Sequence, residues 1–214
     1  MRVIAIDGPA ASGKSSVSRR LAKRLGFAYV NSGSMYRAVT WEVLRQGVDT
    51  TSAADIADAL SGSEIACGIG DDGESFIHIN SRAPDEALRD SSVNLHVSLV
   101  SAVPAVRDLV CTRLRALAGD RDVVMEGRDI GSAVFPETPF KFYLDASPEI
   151  RRKRRAAEGQ SDEIEARDKM DSSRKAAPLV VAGDARVLDT SHLTLDGVVD
   201  AILDILRPHG ITPR

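Results

Sequence analysis

The chain has 214 residues, which is enough to bury a sizeable core in one α/β domain that carries an insertion. Its net charge of −3 excludes an overall basic field of the kind that holds nucleic acid, although 28 lysines and arginines leave room for local basic clusters. No apolar run approaches the roughly 18 residues of a membrane span, and the chain enters a strand pattern at once, so we expect neither a membrane segment nor a signal peptide. Cys67 and Cys111 lie in apolar contexts without C-x-x-C spacing, which predicts buried, reduced thiols in a cytoplasmic protein.

The first motif follows a short β-branched strand pattern, Val3 to Asp7, and precedes a helical pattern, Ser16 to Leu25. Between them the chain reads Gly8-Pro9-Ala10-Ala11-Ser12-Gly13-Lys14-Ser15, a G-x-x-x-x-G-K-S sequence. Turned backbone amides and a helix N-terminus together attract phosphate, so strand, loop and helix are the context that this motif requires. Lys14 can reach the outer phosphates of a nucleoside triphosphate, and the Ser15 hydroxyl can ligate Mg²⁺. The motif leaves the reaction open.

A second strand is predicted at Phe27 to Val30 and a helix at Ser34 to Arg45, which gives a second strand-to-helix junction between them. Ligands in open α/β sheets bind at the carboxyl ends of strands, so Ser32 and Arg37 are placed to hold a second, anionic ligand. The structural alternative makes Ser32 a helix N-cap and Arg37 a surface cation.

The alternation of strands and helices then breaks. Glu64–Ile69 and Ser75–Asn80 flank a Gly-Asp-Asp-Gly turn, which predicts an antiparallel hairpin. We therefore interpret residues 61–103 as an inserted subdomain on a core of residues 1–60 and 104–214. Further helices are predicted at residues 52–60, 91–101 and 104–117. Arg107 lies off the apolar stripe of the last of these, which is typical of a solvated face.

A buried strand pattern at Asp122 to Met125 runs into Glu126-Gly127-Arg128-Asp129-Ile130-Gly131. Arg128 and Asp129 could form a structural ion pair. Alternatively, Arg128 could hold a phosphate while Asp129 accepts a hydrogen bond from a base. Glu126 could bind the shell of a Mg²⁺ ion through water.

The next strand pattern, Phe140 to Asp145, leads to a helix that contains Arg151-Arg152-Lys153-Arg154-Arg155. Taken alone, five adjacent cations are typical of a solvated face. A polar turn interrupts the pattern before a helix over residues 162–175 that carries Arg167, Asp171 and Arg174, which could form a local salt-bridge ladder. Two arginine-rich helices joined by a short turn favour a lid, which we place at residues 151–167.

The fold class predicted is α/β. A last strand is expected at Arg186 to Thr190 and a last helix at Thr194 to Leu206. Right-handed crossovers would make a three-layer α/β/α sandwich around a five-stranded parallel sheet. Its strands are predicted at residues 2–7, 27–30, 122–125, 140–145 and 186–190.

Several separate motifs now agree. They are the phosphate loop, Asn31-Ser32-Gly33-Ser34-Met35-Tyr36-Arg37, the EGRDIGSAVFP stretch over 126–136, and Arg167-Asp168-Lys169-Met170-Asp171-Ser172-Ser173-Arg174 with the Ala177-Pro178-Leu179 after it. Over nearly its whole length the sequence resembles the nucleoside monophosphate kinases, and among them the bacterial cytidylate kinases. The GRDIG-x-x-VFP pattern and the insertion are more specific for that resemblance than the phosphate loop is.

The resemblance implies phosphoryl transfer from ATP to CMP or dCMP, with Mg²⁺ held by Ser15. The cations that it implies for catalysis are Lys14, Arg37, Arg128 and Arg167. For ATP it implies Gly8, Pro9, Ala10, Ala11, Ser12, Gly13, Lys14, Ser15, Ser16, Arg151 and Arg155. For the acceptor phosphate it implies Arg37, Arg128 and Arg167, for the sugar Ser32, Asp171 and Arg174, and for the cytosine edge Ser98, Arg107 and Asp129. Three departures bear on the lid and the rate: Asn31 in place of a frequent Asp, a short lid, and Met170 where an Arg sometimes stands.

Other functions stay open from the residues alone. A kinase for UMP, AMP, dTMP or a small metabolite shares the phosphate loop, as does a nucleotide-dependent switch, although the lack of an N-K-x-D motif counts against a GTPase. Nucleic-acid binding through Arg151 to Arg155 would be strongly salt-dependent. We expect a monomer that acts on small molecules, with no nucleic-acid or membrane partner.

Overall fold

The computed structural model describes residues 1–84, 86–119, 121–157, 164–174 and 176–214, without the side chains of Ile164 and Arg167. Its strands, in chain order, are β1 (Val3–Asp7), β2 (Ala28–Asn31), β3 (Ile65–Ile69), β4 (Ser75–Ile79), β5 (Val123–Glu126), β6 (Phe140–Asp145) and β7 (Arg186–Asp189). Five of them form a parallel sheet, as predicted, and their order in the sheet is β2-β5-β1-β6-β7.

Eight α-helices surround the two sheets in the described part of the chain. They are α1 (Lys14–Leu25), α2 (Ser32–Arg45), α3 (Ala53–Ser61), α4 (Ser91–Val100), α5 (Pro104–Ala118), α6 (Pro148–Ala157), α7 (Ile164–Ser172) and α8 (Leu195–Leu206). Within that part, no single helix is long and apolar enough to cross a membrane. Helices α4 and α5 have the necessary length and apolar composition only when taken together, and the chain bends by 99° between them.

Two hydrophobic clusters lie on opposite faces of the parallel sheet, because successive side chains of a strand point to opposite faces. Val3 and Ala5 of β1 pack into the cluster that α2 and α5 cover, whereas Ile4 and Ile6 pack into the cluster that α1 and α8 cover. The predicted three-layer α/β/α sandwich is therefore confirmed.

The predicted hairpin is confirmed as the antiparallel pair β3–β4. At its turn, the Tyr29 amide of β2 donates to the Gly73 carbonyl at 2.8 Å. At its other end, the Asn80 amide group donates to the buried Glu42 carboxylate of α2 at 3.0 Å. Ile77 and Ile79 belong to the same hydrophobic cluster as α2, so the hairpin packs continuously onto the core. The subdomain boundaries at residues 61 and 103 stay a prediction.

Some local predictions are wrong. Helix α2 begins at Ser32 and not at the predicted Ser34, because Asn31 is its N-cap: Oδ1 of Asn31 accepts from the Ser34 amide at 3.1 Å. The alternative of Ser32 as the cap is thereby excluded. Arg107 is buried rather than solvated. Cys67 and Cys111 are free thiols but only half-buried. Of the predicted lid and the helix after it, residues 158–163 and 175 lie outside the described residues.

Candidate functional site

The phosphate loop takes its shape from close packing against β6. A Cβ at Gly8 would lie 2.1 Å from the Leu144 carbonyl oxygen, a distance that only glycine permits. Gly13 has a φ of 91° at the N-cap of α1, and Ala11 has a φ of 58°. Such positive φ angles are costly for residues with a Cβ, so the loop is a strained turn at the helix N-terminus. Its amides form a ready-made anion site.

Lys14 lies buried under this loop, where its ammonium group donates to the Pro9 carbonyl at 2.6 Å. Burial lowers the pKa of Lys14 to about 7, and the charge of Arg128 acts in the same direction, while Glu126, Asp168 and Asp7 oppose the shift. A buried amine with this depressed pKa would gain from a polyanion beside it.

Ser15 and Glu126 bring two oxygen ligands together at the mouth of the loop. The Ser15 hydroxyl donates to Oε2 of Glu126 at 3.0 Å. The other oxygen, Oε1, accepts from the Tyr29 hydroxyl at 2.5 Å, and the Asn31 amide group donates to that hydroxyl at 3.3 Å. Tyr29 was not predicted as a site residue, because in sequence it is indistinguishable from a core residue of β2.

The turn after β5 is fixed by Asp7, a buried carboxylate at the end of β1. Its two oxygens accept from the Ile130 amide at 2.8 Å and the Gly131 amide at 2.7 Å. Burial raises the pKa of Asp7 to about 6, although these two amides lower it. Asp7 thereby positions Arg128 and Asp129, a role that its place at the end of a strand pattern did not reveal.

Asp171 of α7 joins three elements in the other half of the site. Its carboxylate accepts from the Ser98 hydroxyl of α4 at 3.0 Å and from Nε of Arg128 at 3.0 Å, and it pairs with Arg174. Arg174 also donates to the Ser101 hydroxyl at 2.9 Å. Asp171 is buried, so each of these partners stabilises its charge.

Arg107 and Asp129 form a second buried ion pair, between α5 and the turn after β5. The Arg107 guanidinium lies 5.6 Å from the ring centroid of Tyr36. Burial lowers the pKa of Arg107, but Asp129, Tyr36 and Cys111 together raise it above its usual value. Burial also raises the pKa of Asp129, although the charges of Arg107, Arg174 and Arg128 oppose this shift.

One cleft of about 970 Å³, including its open part, collects most of the predicted residues. Predicted site residues that line it are Ala10, Ala11, Gly13, Lys14, Ser15, Ser16, Ser32, Arg37, Ser98, Arg128, Asp129, Arg155, Asp171 and Arg174. Glu126, expected near a Mg²⁺ ion, also lines it, and lining residues that were not predicted are Asn31, Gly33, Tyr36, Val97, Ser101 and Gly127.

Five predicted residues do not line the cleft: Gly8, Pro9 and Ser12 of the phosphate loop, Arg107, and Arg151. Arg107 contacts Asp129, and Arg151 pairs with Asp168 and donates to the Ala10 carbonyl at 3.1 Å. The side chain of Arg167 lies outside the described residues, although its backbone belongs to α7. The arrangement can hold two anionic ligands end to end, one on the phosphate loop and one among Arg37, Arg128 and the Asp171 cluster.

A family model described as cytidylate kinase matches residues 4–208. A cytidylate kinase of Rhodococcus jostii is 44% identical over 94% of this chain and 93% of its own length. A cytidylate kinase of Caldanaerobacter subterraneus is 39% identical over 95% of this chain and 94% of its own. A bifunctional pantoate ligase/cytidylate kinase of Synechococcus is 41% identical over 96% of this chain, which spans only 44% of that relative.

Among solved structures, an uncharacterized protein from Eubacterium ventriosum matches with a TM-score of 0.52 at 13% identity, over 97% of this chain and 99% of its own, and this likeness concerns the fold alone. The family match, by contrast, extends over nearly the whole sequence, including the phosphate loop, the turn after β5 and α7. The chain belongs to the cytidylate kinase family, the ATP-dependent kinases of a nucleoside monophosphate.

Proposed function

We propose that this chain transfers the γ-phosphoryl group of Mg·ATP to CMP or dCMP, giving ADP and CDP or dCDP. The observation that supports the proposal most is the single cleft that joins Lys14 and Ser15 to Arg37, Arg128 and Asp171. A donor and an acceptor bound in its two halves would meet with their phosphates facing each other.

ATP would bind along the loop of residues 8–16, with Lys14 at its outer phosphates. The amides of Pro9, which has no N–H, and of Ala10, which donates to Asp168, would not take part. Mg²⁺ fits the residues at the mouth of the loop, because the Ser15 hydroxyl and the Glu126 carboxylate are hard oxygen ligands. Among the described residues there is no cluster of three or more acidic, histidine or cysteine side chains that could cage a metal. This agrees with Mg²⁺, which keeps several waters and binds through one or two protein groups plus phosphate. When bound, the ion would neutralise charge on the donor phosphates.

The acceptor phosphate would contact Arg37 and Arg128, and by the family resemblance Arg167. Asp171, which Ser98 and Arg128 hold in place, and its ion-pair partner Arg174 would bind the sugar, together with Ser32. The Asp129 carboxylate would accept from the 4-amino group of cytosine. Arg107 lies behind it and would contribute to base selection by fixing that carboxylate.

The reaction needs no general base. The second pKa of a phosphate monoester is near ~6, so the attacking oxygen is already anionic at neutral pH. No histidine lines the cleft in the described part of the chain. Catalysis would therefore consist of alignment and charge neutralisation by Lys14, Arg37 and Arg128, with water excluded from the closed cleft.

We also propose that the enzyme works as a cytoplasmic monomer on small-molecule substrates, with residues 151–167 as its lid and residues 61–103 as the subdomain on the acceptor side. The hairpin and α4, which carries Ser98, both fall within that subdomain.

A panel of acceptors tests the proposed reaction. CMP, dCMP, UMP, AMP, dTMP and shikimate would each be supplied with Mg·ATP, and ADP formation would be measured. We expect CMP and dCMP to give the highest kcat/KM. Equal or faster turnover of AMP or dTMP would overturn the cytidylate assignment while leaving a kinase, and turnover of shikimate alone would indicate a small-metabolite kinase.

A further inference from the structure

One carboxylate contacts Ala10 in the wall of the cleft but belongs to neither proposed substrate site. Oδ1 of Asp168, on α7, accepts from the Ala10 amide of the phosphate loop at 2.9 Å. Its other oxygen pairs with Arg151 of α6. The Asp168 side chain is only 14% exposed, so it needs both partners to offset the loss of hydration.

Arg151 completes a clamp on the same loop residue. Its guanidinium, which is also buried, donates to the Ala10 carbonyl at 3.1 Å. The amide and the carbonyl of Ala10 are therefore both held from outside the loop, by α7 and α6. The next residue, Ala11, has a φ of 58°, a conformation that persists only where surrounding contacts impose it. The shape of the loop thus depends on where α6 and α7 lie.

The same short helix also reaches the acceptor half of the cleft. Asp171 follows Asp168 by three residues, which places the two carboxylates about one helical turn apart. Asp171 bonds to Ser98 and Arg128, as described above. One rigid turn of α7 therefore connects the contacts of the acceptor site with the contacts that hold Ala10.

We propose that Asp168 is a positioning residue that couples the two substrate sites, transmitting the position of α7, set at Asp171 by the acceptor, to the phosphate loop at Ala10. The inference rests on the proposed function, because it takes the residues around Asp171 as the acceptor site. Coupling of this kind is reciprocal: CMP raises the affinity for ATP by the same factor by which ATP raises the affinity for CMP.

The coupling factor can be measured directly. The dissociation constant of a non-hydrolysable ATP analogue with Mg²⁺ would be determined calorimetrically with and without saturating CMP, on the full chain. Coupling between sites is typically about 5- to 150-fold, and we expect the parent enzyme to fall in that range. In Asp168→Ala the factor should fall to within about twofold of one. The coupling factor of Asp168→Asn should lie between those of the parent and of Asp168→Ala. The amide oxygen of the asparagine can still accept from Ala10 but carries no charge for Arg151.

Glu165→Ala is the matched control. Glu165 pairs with Arg152, so it also joins α7 to α6, but both side chains are exposed, at 62% and 59%, and neither contacts the loop. This variant should keep the parent factor. Thermal unfolding of each variant would confirm that it is folded. If Asp168→Ala does not fold, the coupling factor of Asp168→Asn still tests the proposal.

Several outcomes would overturn the proposal. These are a parent factor of one, an unchanged factor in the Asp168 variants, or an equal loss in Glu165→Ala. Turnover of CMP by the parent, measured separately, distinguishes the two proposals. If CMP is phosphorylated and the Asp168 variants keep the factor, only the coupling role is wrong. If CMP is not a substrate, the proposed function fails, and the coupling role with it.

Discussion

The Tyr29 hydroxyl donates to one oxygen of Glu126 at 2.5 Å, while the other oxygen of that carboxylate accepts from Ser15 at 3.0 Å. The direction of the first bond is set by Asn31, since its Oδ1 caps α2 and its amide nitrogen can then only donate to the Tyr29 oxygen. The tyrosine therefore orients the carboxylate that faces the proposed metal ligand.

Replacing Tyr29 by Phe should weaken the response to Mg²⁺. Without its donor, the Glu126 carboxylate can rotate away from Ser15, so we expect the Mg²⁺ concentration for half-maximal activity to rise severalfold. Loss of the buried hydrogen bond should lower the free energy of unfolding by about 1–3 kcal/mol. A Mg²⁺ titration at saturating ATP and CMP checks the first effect, and urea unfolding checks the second. An unchanged Mg²⁺ dependence would mean that the orientation of Glu126 does not matter.

Arg37→Ala and Arg128→Ala should remove the grip on the acceptor phosphate. Both side chains line the cleft beside the phosphate loop. We expect kcat/KM for CMP to fall by at least about 10²-fold, because charge stabilisation of a transferring phosphoryl group is lost. The affinity for ATP, measured by calorimetry, should change little. Arg20→Ala is a suitable control, since Arg20 pairs with Asp196 on the exposed surface. Activity retained in either cleft variant would place the acceptor elsewhere.

Asp129→Asn should relax the choice of base. An aspartate can only accept from the 4-amino group of cytosine, whereas an asparagine can also donate to the corresponding carbonyl of uracil. We expect the ratio of kcat/KM values for CMP over UMP to fall by about tenfold or more. An unchanged ratio would show that Asp129 does not face the base.

Arg107→Met tests the other half of the same ion pair. It leaves Asp129 buried without its partner, so the free energy of unfolding should drop by about 3–5 kcal/mol. Chemical denaturation measures this. A drop well below that range would indicate that Asp129 pairs with another cation, such as Arg174, whose charge already lowers the pKa of Asp129.

The contribution of Asp7 to stability should fall as the pH rises. Its pKa is raised from 3.8 to about 6, so between these values the folded chain binds the proton and the unfolded chain does not. The protonated Asp7 contributes its full stabilisation at a pH below the pKa of the unfolded chain. This stabilisation is lost as the pH rises past the pKa of the folded chain, a change of about 3 kcal/mol. The free energy of unfolding of Asp7→Asn, minus that of the parent, should therefore increase between about pH 4 and about pH 7.5. Urea unfolding across this range checks it, and a difference that does not vary with pH would contradict it.

The elements were predictable because their signals are local. Apolar periodicity and glycines gave all five parallel strands and the hairpin, and Pro104 and Pro148 correctly marked helix starts. The start of α2 was placed two residues late, at Ser34, because Asn31 and Ser32 are adjacent and both cap well, and only the backbone geometry shows which of them is the cap.

The site was predictable where a motif is contiguous and not where it depends on pairing over long distances. Arg107 looked solvated because its partner, Asp129, follows 22 residues later on another element. Tyr29, Asp7 and Asp168 contact residues between 97 and 158 positions away. Their contacts depend on the order of the strands and the placement of the helices, and residue spacing in the sequence does not predict either.

The hairpin is fastened at both ends, through Gly73 to the amide of Tyr29 and through Asn80 to the carboxylate of Glu42. Arg19 of α1 adds an ion pair to Glu74 at the same turn. Any displacement of this hairpin away from the parallel sheet would therefore have to break contacts to β2, α2 and α1 together.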